Sequence, residues 1–198
     1  MDYMIELNGH VLEYVDGMHV YLCDGIIVPS ITQVLKAKFG KKYAGVDHEV
    51  LQRASEKGTA VHDAIEAWCR YGTESDLPEV KNFKFLQRHY DFSVIDNEVP
   101  VLLCKDGEPI SAGRLDLVIA IDGVLGIADI KRTATLDKEY LAYQLNLYRL
   151  AFMQSYEVDI DFLRGIHLRE DVRKFVNLPI NEELAWELVN KYMEENNE

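Results

Sequence analysis

The chain has 198 residues, a length that fits one domain of about 100–200 residues, and 48% of them are hydrophobic while 28% are charged. This composition excludes a disordered or fibrous chain. The longest apolar runs are much shorter than the ~20 residues of a membrane-spanning helix, and the N-terminus lacks a basic segment followed by an apolar one. We therefore expect a protein that is neither embedded in a membrane nor secreted.

The net charge of -13, from 34 acidic and 21 basic residues, argues against a protein that binds nucleic acid over its whole surface. It leaves room for a local basic cleft, because the charges are unevenly distributed along the chain. Residues 30–42 carry four lysines, including Lys41 and Lys42, and no acid, whereas residues 181–198 carry six glutamates and one lysine. A lysine cluster of this kind is usually a solvated face, and contact with DNA is the alternative interpretation.

The three cysteines, Cys23, Cys69 and Cys104, lie far apart in the sequence and form no CxxC pair. Their spacing predicts neither a disulfide framework nor an iron–sulfur or structural zinc site. A reducing cytoplasm is the compartment that best fits this usage, and each cysteine is most simply a small core residue.

The N-terminal part, residues 1–29, has the pattern of an antiparallel β-meander. Its β-rich runs are separated by the turn signals Asn8-Gly9 and Asp16-Gly17. Residues 30–92 are mainly helical in pattern. The predicted helices begin at Ser30 or Thr32, at Asp47 with an interruption near Gly58, and at residue 78, and they end near residues 39, 71 and 92.

The pattern changes after residue 92, where β-branched and aromatic segments alternate with short polar turns. The predicted strands cover residues 94–103, 111–121, 124–131, 160–168 and 172–178, and a helix from about residue 137 to 154 separates the third from the fourth. Residues 93–180 would thus form a sheet with one helix, and residues 181–198 an acidic terminal helix. We interpret the whole chain, 1–198, as one α+β domain.

The segment Asp129-Ile130-Lys131 places charged side chains within a strand. Strand alternation turns Ile130 to one face and Asp129 with Lys131 to the other, about 7 Å apart along the strand. Taken alone, such a pair is most often an ordinary surface ion pair.

A second acid, Asp116, interrupts the preceding predicted strand, which is otherwise apolar. The two strands are joined by Asp122-Gly123, a strong hairpin signal. Counting residues back from that turn places Asp116 opposite Asp129 on the neighbouring antiparallel strand. The sequence therefore predicts two adjacent carboxylates.

Adjacent carboxylates repel each other unless one is protonated or a cation lies between them. A hard divalent ion, Mg²⁺ or Mn²⁺, suits such oxygen ligands. A metal there would polarise a phosphate and lower the pKa of a bound water, while Lys131 could neutralise charge on a phosphoryl oxygen. This combination predicts metal-assisted hydrolysis of phosphodiester bonds.

Four short motifs occur in a fixed order along the chain. They are Gly58 to His62, then Gly113 to Asp116, then Asp129 to Lys131 thirteen residues after Asp116, and finally Gln144 to Tyr148. Their order and spacing resemble the PD-(D/E)xK nuclease superfamily, in particular its RecB-like and phage-type exonuclease branch. The resemblance covers about residues 30–168, and four motifs in order are much more specific than any one of them.

The resemblance implies a restriction-endonuclease-like core, a central mixed sheet flanked by helices, and assigns roles to individual residues. His62, Asp116, Asp129 and the carbonyl of Ile130 would bind the metal, Lys131 would be the catalytic lysine, Gln144 and Tyr148 would contact the active site and the DNA backbone, and Glu98 falls where some relatives carry another acid. Arg114 could reach a DNA phosphate or pair with a neighbouring acid. Structural roles remain the alternative for His62, Gln144 and Tyr148.

The function implied by the resemblance is a Mg²⁺- or Mn²⁺-dependent deoxyribonuclease, an exonuclease in phage or bacterial recombination and repair. The chain lacks the cluster cysteines of CRISPR-associated relatives and any helicase region, so unwinding of DNA would require a helicase or recombinase partner. Two alternatives stay open: a non-catalytic DNA-end-binding or recombination scaffold that keeps the nuclease fold, and cleavage of RNA or nucleotides by the same site.

Overall fold

A computed structural model describes residues 2–40 and 48–196 of the chain. The N-terminal part is a four-stranded antiparallel sheet in which each strand pairs with the next, so the predicted β-meander is confirmed. Its strands are β1 (Tyr3–Leu7), β2 (His10–Val15), β3 (Val20–Cys23) and β4 (Ile26–Val28). The β1–β2 turn uses Gly9 at a φ of 77°, a left-handed conformation that glycine adopts without strain.

Three helices follow, α1 (Ile31–Phe39), α2 (His48–Tyr71) and α3 (Pro78–His89). Ser30 caps α1, because its side chain accepts a hydrogen bond from the Gln33 backbone N–H while the Gln33 side chain accepts one from the Ser30 backbone N–H. The predicted interruption of the second helix near Gly58 is wrong, since α2 is continuous through that residue. The predicted cap at Asp47 lies outside the described residues.

The second sheet has five strands in the order of the chain, β5 (Phe92–Lys105), β6 (Glu108–Ile121), β7 (Val124–Lys131), β8 (Phe162–Leu168) and β9 (Arg173–Leu178). Neighbours are antiparallel except β7 and β8, which are parallel. Helix α4 (Lys138–Tyr156) makes the crossover that a parallel pair requires, and α5 (Glu182–Asn196) ends the chain. The predicted α+β fold with a mixed sheet flanked by helices is confirmed.

The two faces of the five-stranded sheet pack against different helices. One face packs on α4, α1 and α5, and the other packs on α2 and α3. A third buried cluster joins the meander to β5 and β6 through Leu12, Leu102 and Ala112. Helices α2 and α4 therefore lie on opposite sides of the β6–β7 pair, with the meander beside it. None of the described helices is long and apolar enough to cross a membrane.

The continuity of α2 predicts the effect of Gly58→Ala. A Cβ added at Gly58 would meet nothing within 4 Å, whereas at Gly126 it would approach the Phe162 ring to 2.1 Å. We expect Gly58→Ala to raise the free energy of unfolding by about 0.5–1 kcal/mol, because glycine is a poor helix former. Gly126→Ala, the matched control, should lower it by roughly 1–3 kcal/mol through overpacking.

Urea denaturation followed by circular dichroism measures both free energies. Destabilisation by Gly58→Ala would contradict a continuous α2 at this residue.

Candidate active site

Three carboxylates lie in a row across adjacent strands of the five-stranded sheet. The β5–β6 ladder pairs the residues on either side of Glu98 with those on either side of Asp116. The last pair in the β6–β7 ladder is Leu117 with Ala128. Asp116 and Asp129 are the next residues on these two strands and therefore lie opposite each other. The predicted register between Asp116 and Asp129 is therefore confirmed, and Glu98 extends the row by one strand.

Glu98 is the outer member of this row. Its backbone has a φ of 52°, a left-handed conformation that non-glycine residues seldom adopt within a strand. Its Oε2 accepts from Arg114 Nε at 2.6 Å, and only 15% of the side chain is exposed. Burial, reinforced by the nearby Asp116 carboxylate, raises the pKa of Glu98 to about 7.

Asp129 forms the inner end of the row and is almost fully buried. Its Oδ2 lies 2.5 Å from Nζ of Lys131, on the same face of β7 as predicted. Burial raises the pKa of Asp129 to about 6, with a further contribution from Asp116. Burial alone would lower the pKa of Lys131, but the carboxylates of Asp129 and Asp116 outweigh it and raise that pKa. Lys131 therefore remains a cation at neutral pH.

His62 reaches the row from α2. Its Nε2 lies 3.1 Å from the carbonyl oxygen of Ile130, to which it can only donate, so the neutral ring carries its lone pair on Nδ1. That nitrogen lies 3.6 Å from Asp116 Oδ2 and 4.0 Å from Glu98 Oε1. The other contact of Asp116 Oδ2 is the Ile130 backbone N–H, which donates to it at 2.7 Å. The imidazole therefore presents a free ligand atom to two carboxylates.

These three side chains fit a divalent cation. One ligand atom from each of His62, Glu98 and Asp116 can be chosen so that all lie within 4.8 Å of one another. Two carboxylate oxygens and one imidazole nitrogen suit Mn²⁺ well and also suit Mg²⁺. Asp129, which contacts Lys131, and the Ile130 carbonyl, which accepts from His62, lie next to this group, and their role as ligands stays a prediction.

The row lies beside a large open cleft between α2, α4 and the meander. The cleft has a volume of about 1320 Å³, which exceeds the ~300–1,000 Å³ of most small-molecule pockets. Its lining includes His62, Glu98, Asp116 and Lys131 together with Gln144 and Tyr148 of α4. The space thus suits a polymeric substrate.

Gln144 and Tyr148 line the cleft, where the resemblance implied that they would lie. Gln144 is buried, and its Oε1 has no hydrogen-bond partner among the described residues, so it is available to a ligand. Tyr148 packs against Gly113, where an added Cβ would come within 2.9 Å of its ring. This contact gives Gly113 a physical role, because a larger residue would displace the tyrosine from the cleft.

The predicted DNA-contacting cations have different environments. Arg114 lines the cleft, and its contact with Glu98 answers the question that the sequence left open in favour of an acid partner. Lys41 and Lys42 lie outside the described residues. In the same lysine cluster, Lys38 donates to the hydroxyl of Tyr143 and pairs with Glu139.

Two residues of the site were missed by sequence reasoning. Arg132 lines the cleft directly after Lys131, and its Nε donates at 2.7 Å to Glu79, a carboxylate that is 3% exposed. A second basic residue after the Asp129-Ile130-Lys131 motif was the available signal. His167 is buried beside Lys131 in the β7–β8 register, and its Nε2 contacts the carbonyl of Thr133 at 2.7 Å. Nothing in the sequence predicts the contact between His167 and the backbone of Thr133.

The chain is similar to a solved protein, described as the crystal structure of SSO0001, at 15% sequence identity and a TM-score of 0.50. The match covers 85% of this chain and 76% of that one. At this identity the similarity shows a shared fold and carries no information about chemistry. No protein-family model and no curated protein matches the chain.

The raised pKa of Glu98 predicts a pH dependence of stability in metal-free buffer. From about pH 4.5, its ordinary value, to about pH 7, the folded protein keeps a proton that the unfolded chain releases. The free energy of unfolding should therefore fall as the pH rises through this range. Glu98→Gln should reduce this slope, since glutamine does not titrate.

Chemical denaturation at several pH values in the presence of a chelator measures the slope. The exposed acid Glu6 provides the matched control, Glu6→Gln. Equal slopes for the wild-type protein and Glu98→Gln would contradict a raised pKa of the buried Glu98.

Proposed function

We propose that this protein is a metal-dependent deoxyribonuclease of the PD-(D/E)xK type, acting as an exonuclease. The observation that carries the proposal is the row of Glu98, Asp116 and Asp129, which lies beside a polymer-sized cleft with Lys131 and His62 in contact. A structural sheet gains nothing from three carboxylates on neighbouring strands, because their mutual repulsion is destabilising. A site that binds a divalent cation does gain from these carboxylates, because they supply its ligands.

His62, Glu98 and Asp116 would hold the cation, with Asp129 and the Ile130 carbonyl as the neighbouring oxygen donors. A bound Mg²⁺ or Mn²⁺ supplies positive charge that polarises the scissile phosphate and acidifies a water molecule. The carboxylates that bind the ion also fix its position, since each of them is held by a hydrogen bond or ion pair.

The remaining side chains act on the substrate. The Lys131 ammonium, oriented by Asp129, can donate to a phosphoryl oxygen on which negative charge develops. The unsatisfied Gln144 Oε1 can accept a hydrogen bond from a water molecule, and the Tyr148 hydroxyl can donate one to the backbone of the strand. Arg132, fixed by Glu79, offers a further donor to a phosphate.

An exonuclease is favoured over a sequence-specific endonuclease because no helix-turn-helix or other base-reading element accompanies the motifs within the described residues. A phage or bacterial recombination or repair pathway, with a helicase or recombinase as partner, is the setting that the resemblance implies. The alternative is a DNA-end-binding scaffold without catalysis. Such a scaffold has no need of Lys131 beside two acids, so the arrangement favours an enzyme.

The central prediction concerns cleavage of linear DNA. Activity should require Mg²⁺ or Mn²⁺ and fall by at least about a hundredfold in Asp116→Asn, Asp129→Asn and Lys131→Met. The first two changes remove a carboxylate from the proposed metal site, and the third removes the ammonium that would face the phosphoryl oxygen. End-labelled linear and closed circular DNA, with and without Mn²⁺, separate exonuclease from endonuclease products. RNA of the same sequence tests the other substrate class.

Asp122→Asn is the matched control, since Asp122 is an exposed acid in the turn of the same hairpin and asparagine tolerates its left-handed backbone. It should keep full activity. Circular dichroism must show that each variant is folded. Activity that survives in a folded Asp116→Asn protein, or in the wild-type protein with a chelator, would refute the proposed site.

A separate prediction concerns His62, whose imidazole is the softest ligand of the group. His62→Ala should weaken Mn²⁺ binding more than DNA binding. The earliest effect should be a smaller preference for Mn²⁺ over Mg²⁺, because the imidazole is the ligand that favours Mn²⁺. Isothermal titration calorimetry measures both metal affinities, and His19→Asn, an exposed histidine on the meander, is the control. Unchanged Mn²⁺ affinity in His62→Ala would assign this residue a structural role.

A further inference from the structure

Two arginines on the five-stranded sheet lack an acidic partner although the chain is rich in acids. Arg164 of β8 donates to the backbone of Leu163 and to the side chain of Asn177, and Arg173 of β9 lies over the ring of Phe85. Within the described residues, neither guanidinium contacts a carboxylate. The cationic side chains of the cleft are different, because each of them contacts a carboxylate. They are Arg114, Lys131 and Arg132.

Aromatic rings lie against both arginines, and ring contacts run from Phe85 through His89 to Tyr90. The Arg164 guanidinium lies 4.8 Å from the ring centre of Phe162 and 5.5 Å from that of Phe175. Phe175 in turn packs against Tyr90 at 4.6 Å, and Arg173 lies 3.7 Å above Phe85. Tyr90 is 41% exposed, so its ring is accessible to a ligand.

This surface, which we call the arginine–aromatic face, consists of Arg164, Arg173, Phe85, Tyr90, Phe162 and Phe175. It lies on the side of the sheet that packs on α2 and α3, the helix pair that also provides His62. Lys131 is in register with His167 of β8, and the next residue, Leu168, pairs with Arg173 of β9. The backbone of Arg173 therefore lies about two strand spacings, roughly 10 Å across the sheet, from the catalytic end of β7. The side chains differ in direction, because Arg173 faces α3 whereas Lys131 shares the strand face of Ile127, which packs toward α4.

We propose that the arginine–aromatic face binds single-stranded DNA outside the catalytic cleft. Guanidinium groups without an acidic partner bind phosphates, and the exposed ring of Tyr90 can stack on an unpaired base. The bases of a duplex are stacked inside it and cannot stack on an aromatic side chain. A single strand can contact the arginines through its phosphates and an aromatic ring through its bases. The choice of DNA rests on the proposed nuclease function, but the preference for a single-stranded polyanion rests on this surface alone.

The charge distribution favours a polyanion over an acidic or apolar protein partner. Arg88, in the last turn of α3, is also exposed and has no ion pair among the described residues. Two exposed acids, Glu170 and Asp171, occupy the β8–β9 turn and do not pair with Arg164 or Arg173. On a chain of net charge -13, this is a local surface on which arginines are not neutralised.

The test measures binding of a fluorescent oligodeoxythymidine by fluorescence anisotropy at several salt concentrations, with a chelator present. All proteins carry Asp116→Asn to block cleavage. Arg164→Gln combined with Arg173→Gln should weaken binding roughly tenfold and reduce the slope of log affinity against log salt by about 0.7 for each phosphate that is no longer neutralised. Tyr90→Ala should weaken binding about fivefold or more without changing the slope, since it removes stacking and no charge.

The matched control is Lys105→Gln combined with Lys191→Gln, which removes two cations near α5 and should leave binding unchanged. Because Arg164 packs between two rings, Arg173→Gln and Tyr90→Ala are also measured singly, and both change exposed side chains. Affinity in the arginine pair equal to that of the control pair would overturn the proposal, and so would an equal loss of duplex binding. Absence of cleavage by the wild-type protein would refute the nuclease function and leave this binding result intact.

Discussion

The proposed chemistry depends on one constraint, the crowding of three carboxylates, Glu98, Asp116 and Asp129, on neighbouring strands of one sheet. Hydrogen-bonded strands bring the side chains of opposed residues to about 5 Å, so these charges cannot separate without breaking the ladder. The chain compensates them in part, through Arg114 on the outer acid and Lys131 on the inner one. Burial and mutual repulsion nevertheless raise the pKa values of Glu98 and Asp129, which indicates that negative charge at the row remains undercompensated. A divalent cation would complete the compensation, and the proposed chemistry follows from that need.

Under the two proposals, chemistry and substrate affinity belong to different groups of side chains. In the cleft, Arg114, Lys131 and Arg132 are each paired with an acid, which holds them in place and reduces the field that they project into solvent. The side chains of this cleft are held in fixed positions for the proposed reaction. Because its cations are paired with acids, the cleft would attract a polyanion only weakly until a metal binds. The unpaired Arg164 and Arg173, on another part of the sheet, can supply affinity that does not depend on the metal. An acidic protein could thereby hold DNA through a small number of groups.

Much of this site could be predicted because the features that define it depend on residues close together in the sequence. The Asp122-Gly123 turn determines the register that pairs the two aspartates, and the period of a strand places a lysine two residues from an acid on the same face. The contact between Arg114 and Glu98 could not be predicted, because it depends on the register of β5, which shifts between Leu103 and Cys104, on the path from the β5–β6 turn to Glu98. The interruption predicted at Gly58 failed because one glycine costs a helix only about 1 kcal/mol, less than the burial of the apolar residues that follow it.

The most direct test of a metal-dependent active site is anomalous X-ray diffraction from crystals of Lys131→Met grown with Mn²⁺ and a short DNA strand. We predict a manganese peak in contact with His62 Nδ1 and with carboxylate oxygens of Glu98 and Asp116, and a phosphate of the strand beside it. A cleft that contains DNA but no manganese at these side chains, or manganese bound only elsewhere, would contradict the proposed metal site.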